Sequence, residues 1–252
     1  MKKLFIVGCS RSGTSLIQQR IVEEFNIWSL PETEFFIKNK EDAKQRLALA
    51  SDVISKANIN LVTKIKVAKN LDVFNWLVNN IDIETTYKFL FNDERYIFLE
   101  QLLSKIVGNR TSASGWVEKT PTHYQHCEKI LESDDTKIIF VIRNGIDVAA
   151  SIRDRALKSP ELFGNQLKLQ YSINLWNDSI QQAKRIAANK RVFIQPFEQF
   201  VSKEAYSLSK IGTFAQLDVR QEKATMKIKG EIETWKKGTD KATTPPEEKW
   251  KW

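Results

Sequence analysis

The sequence predicts an α/β fold with a central parallel sheet and helices on both faces. Three observations carry this. An apolar run, Leu4 to Val7, leads into a glycine-bounded polar loop and then a helical pattern. The same order of strand, turn and helix recurs at Lys137–Ile142 and at Arg191–Gln195. Strands that alternate with helices argue for parallel pairing, with ligands bound at the C-terminal strand ends.

Taken in order, a strand is expected over 3–8 and a helix over 13–26. Residues 28–38 hold Trp28, Pro31, Glu32, Glu34, Phe35 and Phe36 and read as an irregular active-site loop. Helical spacing follows over 40–57, 68–80 and 93–107, with Leu61-Val62-Thr63 as a short strand. A polar break at Gly108–Ser114 precedes a strand entered at Trp116-Val117-Glu118 and a helix over His123–Glu132. The strand at 137–142 and a helix at 144–157 come next, closed by Ser159-Pro160. A helix spans Asn165–Asn189, with Leu167, Tyr171, Leu175, Trp176 and Ile180 as its core positions. The strand at 191–195 and a helix at 203–217 complete the domain. Residues 1–236 are expected to form one domain. Charge, threonine and Pro245-Pro246 mark 237–252 as a flexible polar tail.

Composition narrows the function classes. The chain has 252 residues, a net charge of +8 and a pI near 9.3, which suits an anionic ligand, nucleic acid or an acidic surface. No basic block carries interleaved aromatics, so nucleic acid is not an expected partner. Cys9 and Cys127 are too few for a disulfide framework. Cys9 lies in the anion loop, where a helix N-terminus lowers a thiol pKa; a small residue fitting a tight loop is the plainer account. Two histidines and no zinc-ligand spacing point to no metal site. The opening Met-Lys-Lys-Leu-Phe-Ile-Val mimics a signal peptide, but the apolar run ends at Gly8. No stretch approaches the roughly 18–20 apolar residues of a membrane span. A soluble cytoplasmic protein is therefore expected.

Residues 6–16, Ile-Val-Gly-Cys-Ser-Arg-Ser-Gly-Thr-Ser-Leu, carry the most functional information. Gly8 and Gly13 bound a loop between a strand and a helix N-terminus, where inward N–H groups and the helix dipole hold an anion. Nucleotide triphosphatases place Lys-Ser or Lys-Thr after the second glycine. Here that place is Thr14-Ser15 and the cation, Arg11, lies inside the loop. The loop suits a phosphate but lacks the lysine that reaches β- and γ-phosphates.

A second segment, Arg143-Asn144-Gly145-Ile146-Asp147 followed by a helix with Ser151 and Arg155, ends the strand at 137–142. Together the two segments resemble the nucleotide-binding pair of sulfotransferases that use 3'-phosphoadenosine 5'-phosphosulfate. The resemblance, nearest to the bacterial and tyrosylprotein-like branch, implies a P-loop sulfotransferase fold. It further implies sulfonate transfer from that donor to an acceptor hydroxyl, leaving adenosine 3',5'-bisphosphate. It assigns the 5'-phosphosulfate to Arg11, Ser12, Gly13, Thr14 and Ser15. The 3'-phosphate falls to Arg143 and Ser151, which have the family's eight-residue spacing. Arg155, one helical turn after Ser151, meets the nucleotide in the tyrosylprotein branch. Pro196-Phe197-Glu198-Gln199-Phe200-Val201 looks like the family's Arg-Tyr-Glu-x-Leu-Val, with Phe197 at the position that touches adenine.

Sulfonate transfer needs a base for the acceptor proton and cations for the transferring and leaving oxygens, and no metal if the protein supplies the charge. Glu118-Lys119-Thr120-Pro121 looks like the family's Glu-Lys-Thr-Pro segment, which gives Lys119 the sulfonate. Pro121 stiffens the turn and Thr122 is placed to cap the next helix. Pro31-Glu32-Thr33-Glu34 resembles the acidic segment that supplies the base in the tyrosylprotein branch, with Glu32 first and Glu34 second. Phe35, Phe36 and Trp28 are the expected apolar wall around it. Other branches use a histidine, which makes His123 the rival; His126 reads as structural. A kinase with a degenerate phosphate loop, and a non-catalytic nucleotide-binding module, are the alternatives. Acceptor identity and oligomeric state are not encoded in any motif.

Overall fold

The computed structural model describes residues 1–37, 42–59, 70–108 and 112–220. Its strands are short apolar runs: β1 (Lys2–Gly8), β2 (Trp28–Ser29), β3 (Gly115–Lys119), β4 (Thr136–Ile142) and β5 (Val192–Pro196). They form one five-stranded sheet in the order β2-β3-β1-β4-β5, with every neighbouring pair parallel. Both faces are covered, so the strands read as continuous apolar runs. The pleat still sorts them. Leu4, Ile6, Val117, Ile139 and Val141 face one core cluster, and Phe5, Val7, Trp116, Ile138 and Phe140 the other.

Helices supply the other half of each cluster. α1 (Thr14–Glu24) places Ile17 and Ile21 on the first face. The second face receives α2 (Ala43–Ile59), α3 (Asn70–Asn80), α4 (Ile83–Asn92) and α5 (Arg95–Gly108), through residues such as Val53, Leu77, Phe89 and Phe98. A 3-10 turn, Pro121–His126, and α6 (Cys127–Ile130) follow β3. α7 (Gly145–Lys158) leads through α8 (Pro160–Phe163) and a 3-10 turn, Gly164–Gln166, to α9 (Leu169–Ile186). α10 (Phe197–Ser202) and α11 (Glu204–Ala215) end the described chain, Phe200 and Ile211 returning to the first cluster.

Among the described residues, the expected strands at 3–8, 116–118, 137–142 and 191–195 and most expected helices stand within a few residues of their predicted bounds. Five differences have physical reasons. Trp28–Ser29 is a short edge strand rather than irregular loop, because it pairs with Trp116 and Val117. α4 was not anticipated, although Asp82 caps it by accepting from the Thr85 N–H at 2.7 Å and Asp93 ends it at φ 61°. His123–Glu132 is a 3-10 turn and one short helix, begun at Pro121 with Thr120, not Thr122, at the N-cap. The expected helix at 203–217 is preceded by α10. The helix expected over Asn165–Asn189 is confined to α9 and buries Ser172, Ser179, Ala183 and Ile186, while Leu167 and Tyr171 are 39% and 36% exposed. Ala183 and Ile186 join the second cluster, while Leu175 and Trp176 pack inward against Cys9 and against Val148 and Ile152 of α7. Leu61–Thr63 and the tail at 237–252 lie outside the described residues.

Candidate active site

The parallel register decides where the loops meet. Ile6 pairs with Lys119 on one side of β1, and Gly8 with Val141 on the other. The C-terminal ends of β3, β1 and β4 therefore open at one level, where the strand order switches direction and α/β sheets bind ligands.

The loop after β1 closes tightly. Ser12 N–H donates to the Cys9 carbonyl at 3.1 Å, and Arg11 and Gly13 have φ of 73° and 89°. Gly13 is required twice over. Its φ is left-handed, and a Cβ there would lie 2.1 Å from the Phe197 ring. The ring carries the Arg143 guanidinium at 4.8 Å from its centroid. Arg143 donates to the Arg11 carbonyl at 3.1 Å, and Arg11 Nε donates to Ser151 Oγ at 3.0 Å. Trp176 Nε1 fixes the β4 exit by donating to the Arg143 carbonyl at 2.9 Å. Residues far apart in sequence thus form one cationic cluster at the N-termini of α1 and α7.

Two buried polar atoms in this cluster, Ser12 Oγ and Arg143 Nε, have no hydrogen-bond partner among the described residues. Buried polar atoms are rarely left so. A hydroxyl, a guanidinium N–H and the N–H groups at the α1 N-terminus form a donor set suited to phosphate oxygens. Thr14 is buried and Ser15 exposed at the first turn of α1. Arg155 instead engages the segment beyond α7: it donates to Gln166 Oε1 at 2.5 Å and stacks 4.3 Å from the centre of the Phe163 ring.

Lys119, buried at the end of β3, donates to Ser15 Oγ at 3.1 Å and forms an ion pair with Glu32 Oε1. Glu32, 33% exposed, is thereby tied to the anion loop through one ammonium group. Glu34 is exposed, with its backbone in the left-handed region at φ 52°. His123 is fully buried and both ring nitrogens are engaged: Nδ1 with Glu118 Oε2 at 3.1 Å, Nε2 with the Phe36 N–H at 3.3 Å. His126 contacts the Tyr96 hydroxyl at 3.0 Å. Trp28, Phe35 and Phe36 are core residues that anchor the loop, Phe35 stacking on Phe89 and Phe98.

Sequence reasoning missed the partners of this loop. Lys56 of α2 donates to the Glu32 carbonyl at 2.8 Å and pairs with Asp52. Arg95 of α5 donates to the Phe35 carbonyl at 3.3 Å and is held by Asp93. Neither residue stands in a motif, so no local signal marked them. Cys9 departs from the lowered-pKa reading: it is buried, and burial pushes its thiol up to about 12. Among the described residues no group of His, Cys, Asp and Glu is arranged to hold a metal, and no helix is long and apolar enough to cross a membrane.

Comparison with known proteins follows the same lines. The chain matches the sulfotransferase family over residues 3–221. Three solved structures share its fold. The sulfotransferase domain from the curacin biosynthetic pathway aligns at 19% identity with a TM-score of 0.54, covering 87% of this chain and 75% of that one. The corresponding domain of the Synechococcus PCC 7002 olefin synthase gives 16% identity and a TM-score of 0.53, covering 86% and 73%. Sulfotransferase STF9 from Mycobacterium avium gives 15% and 0.50, covering 85% and 64%. No curated protein matches the chain.

Proposed function

The chain belongs to the sulfotransferase family, enzymes that move a sulfonate from 3'-phosphoadenosine 5'-phosphosulfate to an acceptor, and on that premise we propose which of its residues perform the transfer. The observation that carries the assignment is the meeting of Arg11, Ser151 and Arg143, joined at 3.0 and 3.1 Å across the ends of β1 and β4. Arg143 and Ser151 hold the 3'-phosphate. Arg11, Ser12, Gly13, Thr14 and Ser15 hold the 5'-phosphosulfate, and Phe197 backs the adenine side. Arg155 meets the rim of the nucleotide while Phe163 and Gln166 hold its guanidinium. The donor supplies the activated sulfonate and a phosphate leaving group.

Lys119 donates to the transferring sulfonate oxygens and Arg11 to the leaving phosphate. Glu32 accepts the acceptor proton. Its Oε1 is held by Lys119, so its second oxygen is the one assigned to that proton. The ion pair aims Glu32 while one ammonium links base and anion loop. Glu34 is the second choice. His123 is disfavoured as base, because its only lone pair is committed to the Phe36 N–H inside the core. The charge is supplied by Arg11, Lys119 and Arg143, and the transfer runs without metal. The acceptor is a hydroxyl-bearing molecule, and the domain spans 1–236.

The test is calorimetric titration of adenosine 3',5'-bisphosphate beside AMP, with EDTA present. Tight bisphosphate and weak AMP binding are expected; equal binding removes the 3'-phosphate assignment, and a requirement for magnesium favours the kinase alternative. Sulfur-labelled donor then separates enzyme from non-catalytic module. Glu32→Gln is expected to lower turnover by about 10²–10⁴-fold with bisphosphate affinity unchanged. Full turnover in that variant moves the base to Glu34 or His123.

A further inference from the structure

Resting on Glu32 as the base, we propose that Glu118, His123 and Thr120 form a buried positioning device that sets Glu32 against Lys119. These residues touch neither donor nor acceptor; they act through the 33–36 backbone.

The alternation of β3 explains how one short stretch does both jobs. Lys119 emerges toward the anion loop, while Glu118 and Thr120, on the other side of the strand end, grip the loop that carries Glu32. Three consecutive loop N–H groups end on this device or on a side chain it orients. Glu34 N–H donates to Thr120 Oγ1 at 3.2 Å, Phe35 N–H to Thr33 Oγ1 at 3.2 Å, and Phe36 N–H to His123 Nε2 at 3.3 Å.

The direction of every bond is fixed. A backbone N–H only donates, so His123 Nε2 carries a lone pair and Nδ1 carries the proton. That proton goes to Glu118 Oε2. Glu118 Oε1 accepts from the Thr33 and Thr120 hydroxyls at 2.8 and 2.7 Å, and from the Thr33 N–H at 3.4 Å. Having given their protons, both hydroxyls accept from the loop. Glu118 and His123 are completely buried and Thr120 is 1% exposed. A buried ionised carboxylate is not needed for stability, since apolar packing serves as well. What it provides here is a group that only accepts, on both oxygens, and so imposes one polarity on everything around it.

Glu118→Gln keeps the shape and destroys this polarity. If the amide oxygen faces the threonines, the NH₂ meets His123 Nδ1–H. If His123 then changes tautomer, Nε2–H meets the Phe36 N–H. If the amide turns over, its NH₂ meets the Thr33 N–H. Each arrangement leaves one donor facing another in the core.

The experiment measures kcat and donor KM with sulfur-labelled donor and water as acceptor, beside calorimetric affinity for adenosine 3',5'-bisphosphate. Glu118→Gln and Thr120→Val are expected to lower kcat about 10- to 100-fold, as a misplaced base would, with bisphosphate affinity and donor KM held. Thr120→Ser, which keeps both hydroxyl bonds, restores kcat. Added to Glu32→Gln, neither substitution lowers kcat further. Full kcat in a Thr120→Val enzyme that binds bisphosphate overturns the proposal. So does a parallel loss of kcat and affinity, the mark of a merely structural role, and so does a multiplicative loss on Glu32→Gln. Full turnover in Glu32→Gln alone is a separate result, which removes the base assignment itself.

Discussion

Gly13→Ala is the substitution whose cost the structure defines most fully. The residue sits at φ 89°, and the added Cβ would lie 2.1 Å from Phe197 Cε2 and 2.3 Å from its Cδ2. Two penalties add. A left-handed backbone costs a residue with a Cβ about 1–2 kcal/mol. Forcing a carbon into packed space costs about 1–3 kcal/mol more. The sum, about 2–5 kcal/mol, corresponds to about 30-fold to 4,000-fold in an equilibrium constant. Relief comes by moving the Phe197 ring, which displaces the Arg143 guanidinium stacked on it, so the loss falls on donor binding as well as on stability. The assay is calorimetry with adenosine 3',5'-bisphosphate and thermal unfolding, on Gly13→Ala, Phe197→Ala and the double variant. Removing the ring abolishes the steric part, so Gly13→Ala costs only about 1–2 kcal/mol in the Phe197→Ala background. Wild-type affinity and melting in Gly13→Ala refute the reasoning. An equal penalty with and without the ring refutes the assignment of the clash to Phe197.

Further outcomes are expected elsewhere. Arg143→Ala weakens bisphosphate binding by about 1.5–3 kcal/mol, the worth of a charge-assisted hydrogen bond, and unchanged affinity in the same titration removes the β4 exit from the donor site. Cys9 and Cys127 are both buried and burial raises both thiols, Cys9 to about 12, so Ellman's reagent titrates neither in the native protein at pH 8 and both in guanidinium. Fast native labelling of Cys9 would show an open anion loop. Burial pushes the Glu118 carboxyl up, but its electrostatic pairing with His123, followed by the hydrogen bonds from His123, Thr120 and Thr33, outweighs it and holds it below the ordinary carboxylate range. A depressed native pKa gives stability that is present above the unfolded value of about 4.3 and lost as pH falls through the native one. Urea titrations at descending acid pH should show that slope in the wild type and a shallower one in Glu118→Gln; equal slopes would remove Glu118 as its source.

Much of this was legible in the chain itself. The strands over 3–8 and 137–142, the glycine-bounded loop, and Arg143 with Ser151 at one helical spacing are local patterns. Each is fixed by residues within a few positions of one another, so the sequence carries both the element and its direction. That is why the parallel sheet, its helices and the two segments proposed for the donor could be read before any contact was known. β2 and α4 were harder. A two-residue strand exists only by its pairing with Trp116 and Val117, and α4 lies between two aspartates, Asp82 and Asp93, with Phe89 and Leu90 packed into the core.

Tertiary structure alone decided the interior of the site. The family resemblance put Glu32 first, Glu34 second and His123 as the rival, but no local pattern in the chain shows what surrounds each of them. Folding gave Glu32 the Lys119 ion pair, left Glu34 exposed, and sealed His123 between Glu118 and the Phe36 N–H. Lys56 of α2, Arg95 of α5 and Asp93 between α4 and α5 entered the site from segments with no motif at all. The physical reason is that a proton's direction and a carboxylate's surroundings depend on what packs against them. In this fold those partners lie in other elements, joined only where the ends of parallel strands converge.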